Sequence, residues 1–163
     1  MRSVKLDDVD RAILALLQQD SRTIAEDIGT RVGLSAAAVQ RRIKRLRENG
    51  TISREVAVLD PRALGQDMTF VLLVELERER AHLLDSLRQQ FLAEEHVQQC
   101  YCVTGQFDFV LVVSARDMAE FDAVTRRILF DNPTVRRFTT NVVMDRVKVG
   151  LTVPISSGRT GSG

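Results

Sequence analysis

"LSAAAVQRRIKRLRENG", residues 34–50, opens with three alanines, carries five basic side chains in the seven positions from Arg41 to Arg47, and ends on glycine. Ser35 is a residue type that caps a helix start, and Val39, Ile43 and Leu46 recur at helical spacing to form one inward stripe. At about 100° per residue from Val39, the residues Ala37, Arg41, Lys44 and Glu48 point away from that stripe, with Arg45 beside them. A charge run by itself is most often only a solvated face. A helix bare at its beginning and cationic further along also suits entry, N-terminus first, into the major groove of DNA. The surroundings decide between the two.

Upstream, "LDDVDRAILALLQQD" (6–20) has an acidic first turn and places Val9, Ile13, Leu16 and Leu17 at helical spacing, which predicts a helix from about Asp8 to Gln19. "SRTIAEDIGTRVG" (21–33) predicts a shorter helix with Ile24, Ile28 and Val32 inward and Gly33 as its stop. Gly29 within it costs about 1 kcal/mol relative to alanine. The link into the third helix is only "VGLS" (32–35). Two helices joined by so short a glycine-containing turn fit a helix-turn-helix, here a winged-helix-like DNA-binding domain over residues 1–50. On that reading Ser35, Ala37, Gln40, Arg41, Lys44 and Arg45 are the DNA-binding candidates. Small side chains permit close approach, and basic ones meet phosphates or guanine edges. Arg42 and Arg47 lie nearer the flanks, where intramolecular pairing competes.

Charge agrees with this division. The 163 residues carry a formal net charge of +1, with 44% hydrophobic and 28% charged residues, a globular composition. Residues 1–62 hold 12 Lys/Arg against 9 Asp/Glu, whereas residues 63–163 hold 11 against 13. The excess is a local basic patch on a nearly neutral chain. No apolar run reaches the roughly 18 residues of a membrane span and the N-terminus is polar, so a cytoplasmic protein without signal peptide is expected.

Residues 51–66, "TISREVAVLDPRALGQ", form a hinge, with an alternating strand around Ile52 to Leu59 followed by an Asp60-Pro61 turn. From 67 to 153 the order becomes strand, helix, strand, strand, helix, strand: "MTFVLLVELE", "RAHLLDSLRQQFLAEE", "HVQQCYCVTG", "FDFVLVVSA", "MAEFDAVTRRILF" after an Asp117 cap, and "TVRRFTTNVVM". This is the ferredoxin-like βαββαβ arrangement, and the fold class is therefore α+β. "RVKVGLTVPI" is a candidate fifth strand, and residues 154–163 read as a flexible tail. Two helices cover one face of such a sheet. Strand one nevertheless sets Met68, Phe70, Leu72, Val74 and Leu76 against Val71 and Leu73, and strand three sets Phe107, Phe109, Leu111 and Val113 against Val110 and Val112. Both faces are apolar, so the second should be buried against its own copy in a two-fold homodimer. A dimer is also what a helix-turn-helix needs to read two half-sites.

Cys100 and Cys102, two apart in one strand with His96 and His82 as the only histidines, lack the four converging ligands of a metal site. No metal or cofactor is expected. The chain also shows no Ser/His/Asp set, phosphate-cradling glycine loop or paired-carboxylate signature, so it does not read as an enzyme.

"LDDVDRAILALLQQDSR", "VGLS", "RRIKRLRENGTI", "LDPRALG" and "VTGQFDFVLVV", in this order and spacing, resemble the Lrp/AsnC (feast/famine) transcriptional regulators over about residues 5–152. The resemblance implies a sequence-specific regulator of double-stranded DNA that senses a small effector, usually an amino acid, and whose dimers assemble further, often into octamers. It places the effector between dimers, near Thr104, Gly105, Gln106, Phe107 and Asp108 and near Thr139, Thr140 and Asn141. The chemistry suits a zwitterion: close main-chain approach at Gly105, a carboxylate at Asp108 for an ammonium group, and a threonine hydroxyl. Since Thr139 and Thr140 alternate, only one of them faces a given pocket; a structural role for Asp108 in tying down the 104–108 turn stands beside the ligand role. The chain departs from the family at Phe107, where tyrosine is frequent, at Gly29, where alanine is usual, and at Thr23-Ile24. The alternative is an enzyme similar to the sirohaem decarboxylases, which keep both domains and bind a tetrapyrrole.

Overall fold

The computed structural model describes residues 5–77 and 84–155. His82, Leu83 and the tail beyond residue 155 lie outside them. Contacts divide the chain into two compact units, one containing residues up to Val58 and those from Val149 onward, the other spanning Leu59–Lys148.

The helical unit begins with α1, Asp8–Gln19. Asp7 caps it: its Oδ1 accepts from the Asp10 N–H at 2.7 Å, while Asp10 Oδ2 accepts from the Asp7 N–H at 3.3 Å. Helix α2 is Ala25–Val32 and starts without a side-chain cap, because Ile24 occupies the N-cap position. Gly33 ends it in the left-handed region, at φ 71°. Helix α3, Ala36–Glu48, is capped by Ser35, whose Oγ accepts from the Ala38 N–H. Ile13, Ile28, Val39 and Ile43 are buried together, with Val9, Leu16, Leu17, Val32, Leu34 and Ile52 packed around them. Gly29 is a packing choice: a Cβ there would lie 2.4 Å from the Leu34 carbonyl oxygen, so the turn between α2 and α3 runs close against the helix.

No wing is formed. Residues 53–60 are exposed and take part in no β-pairing, so the expected hinge strand has no partner strand within one chain; Val58 is 92% exposed. The candidate fifth strand is also absent among the described residues. Residues 149–155 instead group with the helical unit, where the Gln18 amide clasps the Val153 backbone: Oε1 accepts from its N–H at 2.7 Å, and Nε2 donates to its carbonyl at 3.0 Å. A strand requires a neighbouring backbone, and residues 147–153, although alternating, have none in a single chain.

The second unit contains β1 (Met68–Leu76), α4 (described over Leu84–Ala93), β2 (Val97–Cys102), β3 (Phe109–Ala115), α5 (Met118–Thr125) and β4 (Val135–Val142). Asp117 caps α5, which continues through a π-helical stretch, Arg126–Phe130. The sheet is antiparallel with strand order β2-β3-β1-β4, as a ferredoxin-like chain requires. One face is covered. Phe70, Leu72, Val74, Phe109, Leu111 and Val113 meet Leu87 and Phe91 of α4 and Phe121, Val124, Ile128 and Leu129 beyond β3. Phe70 stacks on Phe121 with centroids 3.7 Å apart, and Phe91 meets Phe109 edge-on at 5.4 Å. On the opposite face Val71 pairs with Val112 and Leu73 with Val110, and all four remain partly open to solvent. Truncating the fully buried Leu72 to alanine should lower stability by about 2–5 kcal/mol; urea unfolding checks this, and a loss below about 1 kcal/mol would show that the site collapses freely.

Candidate nucleic-acid interface and effector site

The exposed face of α3 is built by the stripe that buries Val39, Ile43 and Leu46. Ser35, Ala37, Gln40, Arg41, Lys44 and Arg45 all lie on the accessible side of the helix or its cap. Their commitments differ. Arg41 has no carboxylate partner among the described residues, and Lys44 sits 3.8 Å from Glu48 on the same exposed surface, a weak pair. Ser35 is occupied as the helix cap. Arg45 reaches back to α1: its Nη2 lies 2.6 Å from both oxygens of Asp10, which is only 1% exposed. Arg42 is held in the same cluster, with Nη1 at 2.7 Å from Asp7 Oδ2 and 2.8 Å from Asp10 Oδ1. Arg47 pairs with Glu55 at 2.9 Å. The basic run is thus sorted by ion pairing, with Arg41 the most available cation.

Sequence reading missed Asp10 as part of this face. The signal was present in a matched spacing: carboxylates at the cap (7) and first turn (10) of one helix and guanidiniums at 42 and 45 of another, each pair three residues apart.

Hydrogen bonding from Arg42 holds the Asp7 carboxyl below its ordinary value near 3.8, and the same bond, with a second that Arg42 donates to Asp10, raises Arg42. A carboxylate whose pKa is depressed on folding stabilises the fold fully above its unfolded value and loses that contribution as pH falls through the folded one.

In the sheet unit the expected effector residues are divided. Gly105 has φ +115°, a conformation that needs glycine, and Thr104 and Gln106 beside it are exposed. Phe107 is half-buried. Asp108 is tied into the sheet: its Oδ2 accepts from the Leu76 N–H at 2.8 Å, where the β1–β4 register shifts, and its own N–H donates to Val74. Its carbonyl accepts from Val103. The carboxylate therefore serves the bulge, while the Asp108 backbone ties the turn. Thr139 pairs with Leu73 and Asn141 with Val71, which puts both on the open face. Thr140 pairs with Leu72 and lies on the opposite one. Asn141 donates through Nδ2 to the Val71 carbonyl at 3.3 Å. It is about 10 Å along β1 from the Val74 end that anchors the loop. Thr139 is much nearer.

Two open surface depressions of this unit do not include these residues. One, of about 670 Å³, is lined by residues such as Glu94, His96, Arg116 and Glu120, and the other, of about 250 Å³, by residues around Gln90 and Asn132. The 104–108 loop and the Thr139 row lie outside both. Cys100 and Cys102 are free, and no group of three or more potential ligands is placed to hold a metal among the described residues.

A three-helix unit presenting a capped, partly cationic third helix, on one chain with a ferredoxin-like domain, defines a two-domain transcriptional regulator of the helix-turn-helix type. Residues 6–47 match the AsnC-type helix-turn-helix domain, and residues 69–153 match the Lrp/AsnC ligand binding domain. The chain belongs to the Lrp/AsnC family of transcriptional regulators. It is 42% identical over 153 residues to the uncharacterized HTH-type transcriptional regulator y4tD of Sinorhizobium fredii, covering 94% of this chain and 90% of the relative. It is also similar to the crystal structure of an AsnC family transcriptional regulator from Agrobacterium tumefaciens, with TM-score 0.85 and 29% identity over 91% of this chain and 97% of that one. The structure of the regulator NMB0573 of Neisseria meningitidis in complex with L-Met superimposes with TM-score 0.86 at 23% identity, over 92% and 97% of the two chains.

Two outcomes are expected. Arg41→Ala should weaken duplex binding and reduce its salt slope by about one, while Arg47→Ala should change affinity less than about twofold; filter binding across a salt series distinguishes them. Asp7→Asn should flatten the loss of helical signal on acidification below about pH 4, which circular dichroism measures directly.

Proposed function

We propose that this regulator binds double-stranded DNA as a homodimer, and that an amino-acid effector acting through the sheet unit modulates binding or assembly. The observation that carries the DNA arm is the exposed row Ala37, Gln40 and Arg41 near the N-terminal end of α3, with Arg41 lacking a carboxylate partner among the described residues. The tip of the helix carries few side chains able to read bases, so sequence preference rests on Gln40, Arg41 and the bendability of the duplex. The apolar row Val71, Leu73, Val110 and Val112, left partly open in one chain, supports pairing with a second copy. Dimers are proposed to assemble further, into octamers.

The match to a ligand-binding domain supports a small effector, and the L-Met complex of the structural neighbour supports an amino acid as its class. We place it beside Thr104, Gly105, Gln106 and Phe107, with Thr139 on the open sheet face. Asp108 supports the loop there, and Thr140 faces away. The reading is non-enzymatic and needs no cofactor. No described helix is long and apolar enough to cross a membrane; a cytoplasmic location follows from the proposed DNA partner.

Melting the chain against each common amino acid tests the effector arm, since a ligand selective for the folded state raises the midpoint. One amino acid should do so, with the shift reduced in Thr139→Val and kept in Thr140→Val. Equal shifts in both variants would move the site elsewhere.

A further inference from the structure

We infer that Asp10 is a positioning residue for DNA binding: its buried carboxylate holds the guanidinium of Arg45 so that the remaining N–H groups of that side chain meet a phosphate of the duplex backbone. The inference rests on the reading that α3 faces DNA, and adds to it a residue on α1 that touches no DNA.

The geometry is asymmetric. Arg42 is 26% exposed and lies between Asp7 and Asp10, so it functions as a strap between α3 and α1. Arg45 is 53% exposed and both of its bonds to Asp10 run through Nη2, so Nε and Nη1 make no bond to that carboxylate. A guanidinium is a rigid planar fork that can serve two acceptors on different edges at once. With Nη2 fixed to Asp10 and no other acceptor for Arg45 among the described residues, its remaining N–H groups are available to an acceptor outside the fold. Arg45 also sits late in α3, away from the tip that enters the groove, and its tether to α1 stops it from extending toward base edges. Phosphates line the groove at that level. Rotamer freedom that a long arginine would otherwise lose on binding is already lost in the free protein.

Charge gives the discriminating test. Asp7, Asp10, Arg42 and Arg45 sum to zero, so Asp10→Asn adds a positive charge close to the DNA face. Bulk electrostatics alone would then tighten binding and steepen its salt dependence. Positioning predicts the reverse. On a fixed random-sequence duplex, Asp10→Asn should weaken binding by about five- to tenfold and lower the salt slope by about one, as loss of a phosphate contact does. Arg45→Ala should do the same, and the double variant should lose no more than either single one. Arg45→Lys, which leaves Asp10 intact and keeps the charge without the fork, should show most of the Arg45→Ala loss, and it reads the inference even if Asp10→Asn destabilises the helical unit. Tighter binding by folded Asp10→Asn, additive losses in the double variant, or full affinity in Arg45→Lys would each overturn it. If the unmutated chain fails to bind the duplex at low salt, the DNA reading itself falls and takes this inference with it; unmutated binding with the opposite variant pattern overturns the inference alone.

Discussion

A sheet that is greasy on both sides and covered on only one is the constraint from which the rest follows. In β1, alternation sends Phe70, Leu72 and Val74 into the helix-covered core and leaves Val71 and Leu73 on the other side, beside Val112 and Val110 of β3. A single copy leaves that row partly wet. On the proposed homodimer, a second copy removes it from water across a two-fold axis, and that axis duplicates α3. A helix-turn-helix reader that binds two half-sites a helical turn apart needs that duplication.

Within the helical unit, the acidic start of α1 has two uses. Asp7 and Asp10 close the capping box of their own helix and also receive Arg42 and Arg45 from α3. A buried carboxylate is tolerated only when paired, so the position of the reading helix is coupled to the start of α1. The same pairing reduces the apparent basicity of the patch. Five cations stand between Arg41 and Arg47, but Arg42, Arg45 and Arg47 answer carboxylates within the fold and Lys44 has Glu48 nearby. Affinity for DNA should therefore depend on a few well-placed groups more than on bulk charge.

Local signals made much of the fold legible. The spans of α1 and α3, the Ser35 and Asp117 caps, the glycine stop at Gly33 and the strand order β2-β3-β1-β4 each follow from spacing, capping chemistry or alternation. What was illegible depends on partners distant in sequence. Alternation in residues 52–59 and 147–153 is a strand's pattern, but a pattern carries no information about whether a neighbouring backbone exists. Arg45 reads as a free cation until Asp10, 35 residues away, is brought beneath it. Asp108 reads in sequence as an ammonium ligand or as an anchor of its turn, and its bond from the Leu76 N–H appears only once β1 is brought beside it. Gly29 reads as a propensity cost until the Leu34 carbonyl is seen against it.

The account stands or falls on whether that open sheet face is an interface between copies. Sedimentation velocity in dilute buffer, on the unmutated chain and on the pair Leu73→Asp with Val110→Asp, measures this directly. The account predicts a dimer or a multiple of it for the unmutated chain, and a folded monomer with greatly weakened duplex binding for the charged variant. An unmutated chain that sediments as a monomer, or a charged variant that still pairs, would contradict it.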